Sequence, residues 1–339
     1  MASGVAVSVP RVLELDRVPE RMPHRDATLR QLASALDPLR SDQPAYPICL
    51  SGPTGAGKTT IAQFIVRQLQ AEALGIRWGY VNAISETSKS SLVFSLVRDA
   101  GVGNDLRAKG TATGIMFDRL RNLEDHFVAI IDEVDVIDDD TTIQALWEIP
   151  NVTLVLICVD ENDFFSDLDS RVASRLRGTA TVALEKYHHD ELVDILWSRI
   201  HTGLASGVVE EETVEYIADV AAGDARHAIT LLRRAVREAV KRGDEVLTVE
   251  NVEEIREDAR EEMHERDVNM LGTHQRHLYE IIKEAGEITA PELHARYEDR
   301  VSDPRVRSTR RGYLQSLEKY ELIKAPGNTR SRRYRYNGP

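Results

Sequence analysis

Hydrophobic and polar residues follow two alternating patterns over the first half of the chain. Four short, almost wholly apolar runs have the length and composition of buried strands: residues 46–50, 78–82, 127–131 and 153–159. The stretches between them show the 3- and 4-residue apolar spacing of helices, most clearly from Lys58 onward and over residues 91–99. This alternation predicts an α/β fold with a parallel sheet and helices on both of its faces.

The pattern changes after about Ala180. Residues 187–266 read almost entirely as helix, and Ile229, Leu232, Val236 and Val240 follow one another at spacings of 3, 4 and 4. Residues 250–267 are rich in charge and have few large apolar residues, which is typical of an exposed connecting helix. Three further helices, at 275–284, 290–299 and 304–320, are then followed by a basic hairpin. We therefore predict three domains, at residues 1–180, 181–266 and 267–339.

Charge separates the last domain from the others. The 339 residues carry 56 acidic and 43 basic side chains, a formal charge of −13, yet the last 35 residues contain ten basic and only two acidic ones. Such a segment on an acidic protein indicates a site for a polyanion. No apolar run approaches the roughly 20 residues of a membrane helix and no signal peptide is recognisable, so we expect a cytoplasmic protein. Cys49 and Cys158 lie in strand-like runs and are expected to be buried, inert thiols.

A phosphate-binding loop follows the first predicted strand. Its residues precede an amphipathic helix: Gly52, Pro53, Thr54, Gly55, Ala56, Gly57, Lys58, Thr59 and Thr60. The glycines let backbone N–H groups face phosphate, and the helix N-terminus favours negative charge. Lys58 is predicted to reach the β and γ phosphates and Thr59 to bind Mg²⁺. ATP or ADP with Mg²⁺ is therefore the predicted cofactor.

An acidic pair ends the strand-like run at 127–131. Asp132 is predicted to hold the metal, and Glu133 to polarise the attacking water. Taken alone, the pair could also be solvated acids at the end of a strand, which is the less favoured alternative. Its combination with the phosphate loop favours catalysis.

With these motifs, nearly the whole chain resembles the origin-recognition and cell-division-control initiators of archaea, members of the AAA+ ATPases. Four signatures carry the resemblance: Val18-Pro19-Glu20 with Pro23-His24-Arg25, Asp132-Glu133-Val134-Asp135, Leu168-Asp169-Ser170-Arg171-Val172, and Gly223-Asp224-Ala225-Arg226. The resemblance implies an AAA+ base, a helical lid and a C-terminal winged helix. It also implies binding to double-stranded origin DNA, recruitment of the replicative helicase, self-association on DNA and a location at the nucleoid.

The same resemblance assigns roles to individual residues. The adenine side would be lined by Val18, Pro23, His24, Arg25, Tyr187 and Ile195. Arg226 would reach the γ-phosphate from the lid and report ATP against ADP. Arg171 would complete the site of a neighbouring subunit, although a solvated or DNA-backbone role is an open alternative.

One position departs from the family pattern. Members usually carry an asparagine after the strand equivalent to residues 154–159, where its amide positions water near the γ-phosphate. Here Asp160 takes that place, and Asn162 follows two residues later. Either Asn162 acts through a shifted loop or hydrolysis is slow, so we expect a weak ATPase that serves as a switch.

The predicted winged helix supplies most of the DNA contacts. Its third helix would enter the major groove with Arg305, Arg307, Arg310, Arg311 and Gln315, and its wing would follow the backbone with Thr329, Arg330, Arg332 and Arg333. A glycine-rich stretch at 101–110 occupies the place of the family's DNA-contacting insertion and offers Arg107 and Lys109; an ordinary mobile loop is the alternative. Two other functions stay open: an ATP-driven loader acting on a protein partner, and a signalling NTPase whose winged helix only holds the lid.

Overall fold

The computed structural model describes residues 10–86, 88–137, 139–176, 178–326 and 332–338, without the side chains of Arg175 and Ser308. In chain order the first part contains α1 (Asp26–Leu36), β1 (Ile48–Ser51), α2 (Lys58–Glu72), β2 (Ile76–Asn82), α3 (Lys89–Asp99), α4 (Thr113–Arg121), β3 (His126–Asp132), α5 (Thr141–Trp147), β4 (Val152–Ile157), α6 (Glu161–Asp167), α7 (Ser170–Arg175) and β5 (Ala180–Ala183). The second part contains α8 (His189–Gly203), α9 (Glu211–Ala221), α10 (Ala225–Arg242) and α11 (Val249–Met270). The last part contains α12 (Thr273–Ala285), β6 (Glu287–Thr289), α13 (Ala290–Arg300), α14 (Arg307–Lys319), β7 (Ile323–Lys324) and β8 (Arg333–Tyr336).

The first part is built on a five-stranded parallel sheet with the order β2-β3-β4-β1-β5. Successive residues of β3 enter two different apolar clusters: Val128 and Ile130 pack with α1 and α2, and Ala129 and Ile131 with α3 and α4. A strand buried on both faces must be continuously apolar, which explains the run at residues 127–131. The predicted sandwich of helices around a parallel sheet is confirmed.

Because the strands are parallel, their carboxyl ends meet at one edge. β1 ends at Ser51, directly before the phosphate loop, and Asn82 at the end of β2 pairs in register with Asp132 at the end of β3. This edge is where ligands bind in open α/β sheets. The fifth strand, β5, was not predicted; Val182 is its one buried residue, so the run is too short to show a pattern.

Helices α8, α9 and α10 pack around an apolar core of their own, which Leu13 from the amino-terminal segment joins. Helix α11 packs along α10 and adds Val252, Ile255 and Ala259 to this core, while most of its other residues are at least partly exposed, in line with its charge. It continues to Met270, so the predicted boundary between residues 266 and 267 lies within a helix.

The last part has three helices and a three-stranded sheet of order β6-β8-β7, which is the arrangement of a winged helix. Strand β6, only three residues long, was not predicted. The apolar cluster of this part is continuous with the one on the α3–α4 face of the large sheet. The 3₁₀ turn Val134–Val136, which follows Glu133, packs against α14. The winged helix is therefore in direct contact with the turn that follows the acidic pair.

Cys49 and Cys158 are buried free thiols with their sulfur atoms 3.7 Å apart, as expected from their strand-like surroundings. Within the ranges given above, no helix is both long and apolar enough to cross a bilayer.

Candidate functional site

The loop between β1 and α2 is held in a tight, glycine-dependent conformation. Gly57 has φ +88°, and a Cβ added there would lie 2.9 Å from the hydroxyl of Tyr187. A Cβ on Gly55, where φ is +78°, would lie 2.1 Å from a carboxylate oxygen of Asp224. Side chains at either position would clash and strain the backbone, so both glycines are required. Lys58 is buried, and its Nζ donates hydrogen bonds to the carbonyl oxygens of Gly52 at 2.6 Å and Pro53 at 3.0 Å.

The hydroxyl of Thr59 at the start of α2 faces the end of β3. Thr59 Oγ1 donates to Asp132 Oδ2 at 2.6 Å, and the Tyr80 hydroxyl donates to the same oxygen at 3.0 Å. Asp132 is 4% exposed, and this burial raises the pKa of its carboxyl group. A hydroxyl and a carboxylate that converge on one point are ligands that Mg²⁺ prefers. The donor set therefore fits the predicted metal.

Glu133 follows in a left-handed backbone conformation, with φ +54°. Burial, together with the nearby negative charges of Asp132 and Asp135, raises the pKa of its carboxyl group to about 8. Tyr320, from the winged helix, lines the same cavity as Glu133. Non-glycine residues persist in this region of φ only where their surroundings fix them, and such positions cluster at functional sites.

These groups line one cavity of about 350 Å³ between base, lid and winged helix, which we call the main cavity. Its lining includes Val18, Thr54, Gly55, Gly57, Lys58, Thr59, Thr60, Tyr80, Asn82, Asp132, Glu133, Arg199, Arg226 and Tyr320. A smaller, adjoining cavity of about 60 Å³ lies among Pro23, Gly57, Tyr187, Ile195 and Ile229. The structure thus brings Val18, Pro23, Tyr187 and Ile195 next to the phosphate loop, on the side where adenine was predicted.

His24 and Arg25 do not line either cavity. His24 is exposed, and its Nε2 lies 2.8 Å from Asp194 Oδ2 of the lid. Arg25 is buried and donates to the carbonyl oxygens of Ala56 and Glu185 at 3.0 and 2.9 Å. Its guanidinium lies 3.9 Å from the ring centre of Tyr187. Arg25 therefore ties the phosphate loop to the segment that leads into the lid, and adenine contact by either residue stays a prediction.

Arg226 lines the main cavity, as predicted, from the first turn of α10. Its Nη1 lies 2.9 Å from Asp267 Oδ1 and its Nη2 3.5 Å from Asp267 Oδ2. Asp267 is buried near the end of α11. The lid arginine is thus bound to the helix that leads into the winged helix.

Asp160 and Asn162 do not reach the main cavity. Asp160 is the N-cap of α6, and its Oδ1 accepts from the backbone N–H groups of Asn162 and Asp163 at 2.8 and 3.0 Å. Both predicted water-positioning side chains are exposed. The carboxylate that was expected to repel the γ-phosphate instead satisfies the helix N-terminus, which is a preferred role for aspartate. The catalytic role of both residues therefore stays a prediction.

The predicted DNA-contacting residues of α14 divide into two groups. Arg307 and Arg311 are exposed, and Arg305 is half-buried. Arg310 is 3% exposed, donates to Glu298 Oε1 at 2.7 Å and lies 5.1 Å from the ring centre of Tyr297. It is part of the domain's interior, and its prediction as a DNA contact is corrected. Gln315 lines a cleft between α14 and the base.

The described part of the wing is basic and exposed. The side chains of Arg333 and Arg335 are 58% and 57% exposed and both pair with Glu287, while Arg332 pairs with Glu318 at 3.0 Å. Thr329 and Arg330 lie outside the described residues. In the base, Arg107, Lys109 and Arg171 are all exposed. Asp169 caps the helix that presents Arg171 by accepting from its N–H at 2.9 Å.

Sequence analysis missed three polar groups of the main cavity's surroundings. Tyr80 was assigned only to a strand, Tyr320 to the end of the helix at 304–320, and Asp267 to an exposed helix. Tyr80 lies two residues before Asn82 at the end of β2, so the two side chains share one face of the strand. This alternation was the sequence signal that could have placed Tyr80 at the site. The other two depend on how the winged helix packs against the base, which spacing along the chain does not report.

The parallel sheet, the phosphate loop on the carboxyl edge and the helical lid that closes the cavity define an ATP-binding protein of the AAA+ class. The family model described as "AAA ATPase domain" matches residues 21–157, and "Cdc6 AAA+ ATPase-type lid domain" matches residues 193–257. The chain belongs to the family of ORC1-type DNA replication proteins, as the predicted resemblance to archaeal initiators indicated.

Two relatives from Halobacterium salinarum support this assignment. ORC1-type DNA replication protein 1 is 37% identical over 298 residues, which cover 88% of this chain and 97% of that protein. ORC1-type DNA replication protein 9 is 35% identical over 325 residues, or 96% and 92% of the two chains. Among solved structures, the Aeropyrum pernix ORC1 protein in complex with DNA has a TM-score of 0.73 and 27% identity, with 97% of this chain and 93% of that chain covered.

Proposed function

We propose that this protein is an ATP-regulated initiator that recognises replication-origin DNA and helps to recruit the replicative helicase, with slow ATP hydrolysis as its switch. Membership of the ORC1-type family and the DNA complex of the Aeropyrum pernix ORC1 protein support the DNA partner. Exposed Arg307 and Arg311 on α14, with Arg333 and Arg335 on the wing, are the proposed DNA contacts.

The observation that carries the proposal is the continuity between the nucleotide site and the DNA-binding module. Tyr320 of the winged helix lines the main cavity, and its neighbour Lys319 pairs with Asp135 at 3.0 Å. Arg226 of the same cavity is bound to Asp267. A change of nucleotide can therefore alter the contacts of α11, which leads into the winged helix, and of α14, which belongs to it. By the same contacts, docking on DNA can alter the catalytic groups.

In the proposed mechanism, Lys58 and the loop N–H groups bind the phosphates, and Thr59 and Asp132 hold Mg²⁺. When bound, Mg²⁺ neutralises charge that develops on the phosphates. Glu133 orients the attacking water and accepts its proton, and Arg226 exchanges Asp267 for the γ-phosphate. Loss of that phosphate on hydrolysis returns Arg226 to Asp267, so the lid and α11 differ between the two nucleotide states.

Footprinting on genomic fragments, including the region beside its own gene, tests the proposal. We expect protection of discrete sites with ATP, altered protection with ADP, and loss of the difference in Lys58→Ala. An Arg171→Ala variant tests self-association: only the multi-copy footprint should shrink if Arg171 completes a neighbour's site. Uniform protection of all fragments under every condition would reject a sequence-specific initiator.

A further inference from the structure

Val306 is a large apolar residue left in solvent beside the exposed arginines of the winged helix. Its exposed fraction is 66%, and among the residues that the structure describes no other large hydrophobic side chain of the winged helix is exposed. It directly precedes exposed Arg307, and Arg311, also exposed, lies one helical turn further on. A single exposed valine is ordinary on a protein surface, so exposure alone does not indicate a function.

Val306 also occupies a position that valine seldom fills. It is the N-cap of α14: its backbone is extended, with φ −62° and ψ 159°, and its carbonyl oxygen accepts a hydrogen bond from the N–H of Arg310 at 3.1 Å. Serine, threonine, aspartate and asparagine are favoured there, because their side-chain oxygens accept from the free N–H groups of the first turn. Asp160 and Asp169 make such bonds at the starts of α6 and α7, whereas the side chain of Val306 makes none.

One residue therefore gives up both a helix cap and the burial of an apolar side chain. Departures from local rules are expected at functional positions. The start of a recognition helix is the part that reaches base edges in the major groove. Valine cannot donate or accept a hydrogen bond, and the apolar group that the major groove offers is the C5-methyl group of thymine. Valine is also stiff at χ1, so it loses little rotamer freedom in such a contact.

We propose that Val306 is a specificity-determining residue that contacts the methyl group of a thymine in the bound DNA site. This inference rests on the proposed function and names a base that the site must contain. Arg307 and Arg311 supply charge, which attracts any duplex, whereas the contact of Val306 selects thymine. Because the contact involves no charge, it should contribute nothing to the salt dependence of binding.

Duplexes in which single thymines are replaced by deoxyuridine test the contact, because uracil lacks only the C5-methyl group. Each thymine of a footprinted site is exchanged in turn, and affinity is measured by fluorescence anisotropy at fixed salt concentration. At one thymine we expect wild-type affinity to fall about fourfold, the change for one methyl group returned to water. Val306→Ala should bind the unmodified site at least about fourfold more weakly and should no longer distinguish thymine from uracil at that position.

Val246→Ala is the matched control. It is the same substitution at another exposed valine, in the loop between α10 and α11, and should leave the affinity and the thymine preference at their wild-type values. The slope of log K against log salt concentration should stay at the wild-type value in Val306→Ala.

Val306→Ser separates a DNA contact from a structural role. Serine restores a capping oxygen, so we expect the midpoint of urea unfolding to rise while the preference for thymine over uracil is lost. A lower midpoint would show that Val306 is a structural residue and overturn the inference. Wild-type protein that tolerates every exchange, or Val306→Ala that keeps the wild-type preference, would also overturn it and leave a sequence-specific initiator intact. Equal binding of all duplexes by the wild-type protein would reject the proposed function and this inference with it.

Discussion

Asp267→Asn tests whether the lid arginine is shared between the γ-phosphate and the connecting helix. Arg226 makes two contacts to Asp267, at 2.9 and 3.5 Å, and the carboxylate side chain is only 7% exposed. Asparagine keeps the shape and one oxygen acceptor but removes the charge. If ATP binding requires Arg226 to leave Asp267, weakening this pair should favour the ATP-bound state.

The size of the effect follows from the pair's geometry. A hydrogen bond to a charged group contributes about 1.5–3 kcal/mol, and asparagine retains part of it. We expect the substitution to weaken the pair with Arg226 by ~1 kcal/mol, which corresponds to an approximately fivefold gain in ATP affinity. ADP has no γ-phosphate for Arg226, so its affinity should change less than twofold.

Titration of a fluorescent ATP analogue and of the matching ADP analogue measures both affinities. Asp258→Asn is the control, because Asp258 lies on the same helix, is 66% exposed and approaches Arg234 only to 4.0 Å. Equal tightening of ATP and ADP, or a weaker ATP complex, would show that Arg226 does not exchange partners.

Three further predictions address binding and stability. Lys58→Ala should weaken ATP binding at least 100-fold and so abolish the rise in melting temperature that Mg-ATP gives the wild-type protein, measured by calorimetry. Arg310→Met should lower the free energy of unfolding by about 2 kcal/mol in urea titrations, because it removes a buried guanidinium and leaves the half-exposed carboxylate of Glu298 without its partner. The same variant should leave the salt dependence of DNA binding unchanged. Arg311→Ala combined with Arg333→Ala should flatten the slope of log K against log salt concentration by about two; an unchanged slope would remove both from the interface.

Sequence predicts the fold well where a local pattern determines it. Glycine spacing before Lys58 and the apolar run before Asp132 are each sufficient to place an element, because a phosphate loop and a buried strand have strict local requirements. The family resemblance supplied the role of Arg226, and the structure places this residue in the cavity.

Prediction was weaker wherever a side chain had to be assigned to the surface or the interior. Arg310 and Arg311 are consecutive arginines on one helix, yet one is 3% exposed and the other lies in solvent. The helical turn of about 100° between them decides the outcome, and charge alone does not reveal which residue finds a carboxylate. The sequence analysis placed Asp160 near the γ-phosphate, whereas in the structure it caps the N-terminus of α6, a common role for aspartate at the start of a helix.

Nucleotide binding and DNA binding are coupled in the proposed mechanism, and the reciprocity of the two effects tests this coupling most directly. The first measurement is the ratio of the protein's affinities for a footprinted DNA site with the ATP analogue and with ADP. The second is the factor by which that DNA site changes the ratio of ATP-analogue affinity to ADP affinity. The two factors must be equal, because binding free energies are reciprocal. We predict a common factor of at least fivefold in the wild-type protein at fixed salt concentration. Identical DNA affinities with the ATP analogue and with ADP would contradict the account.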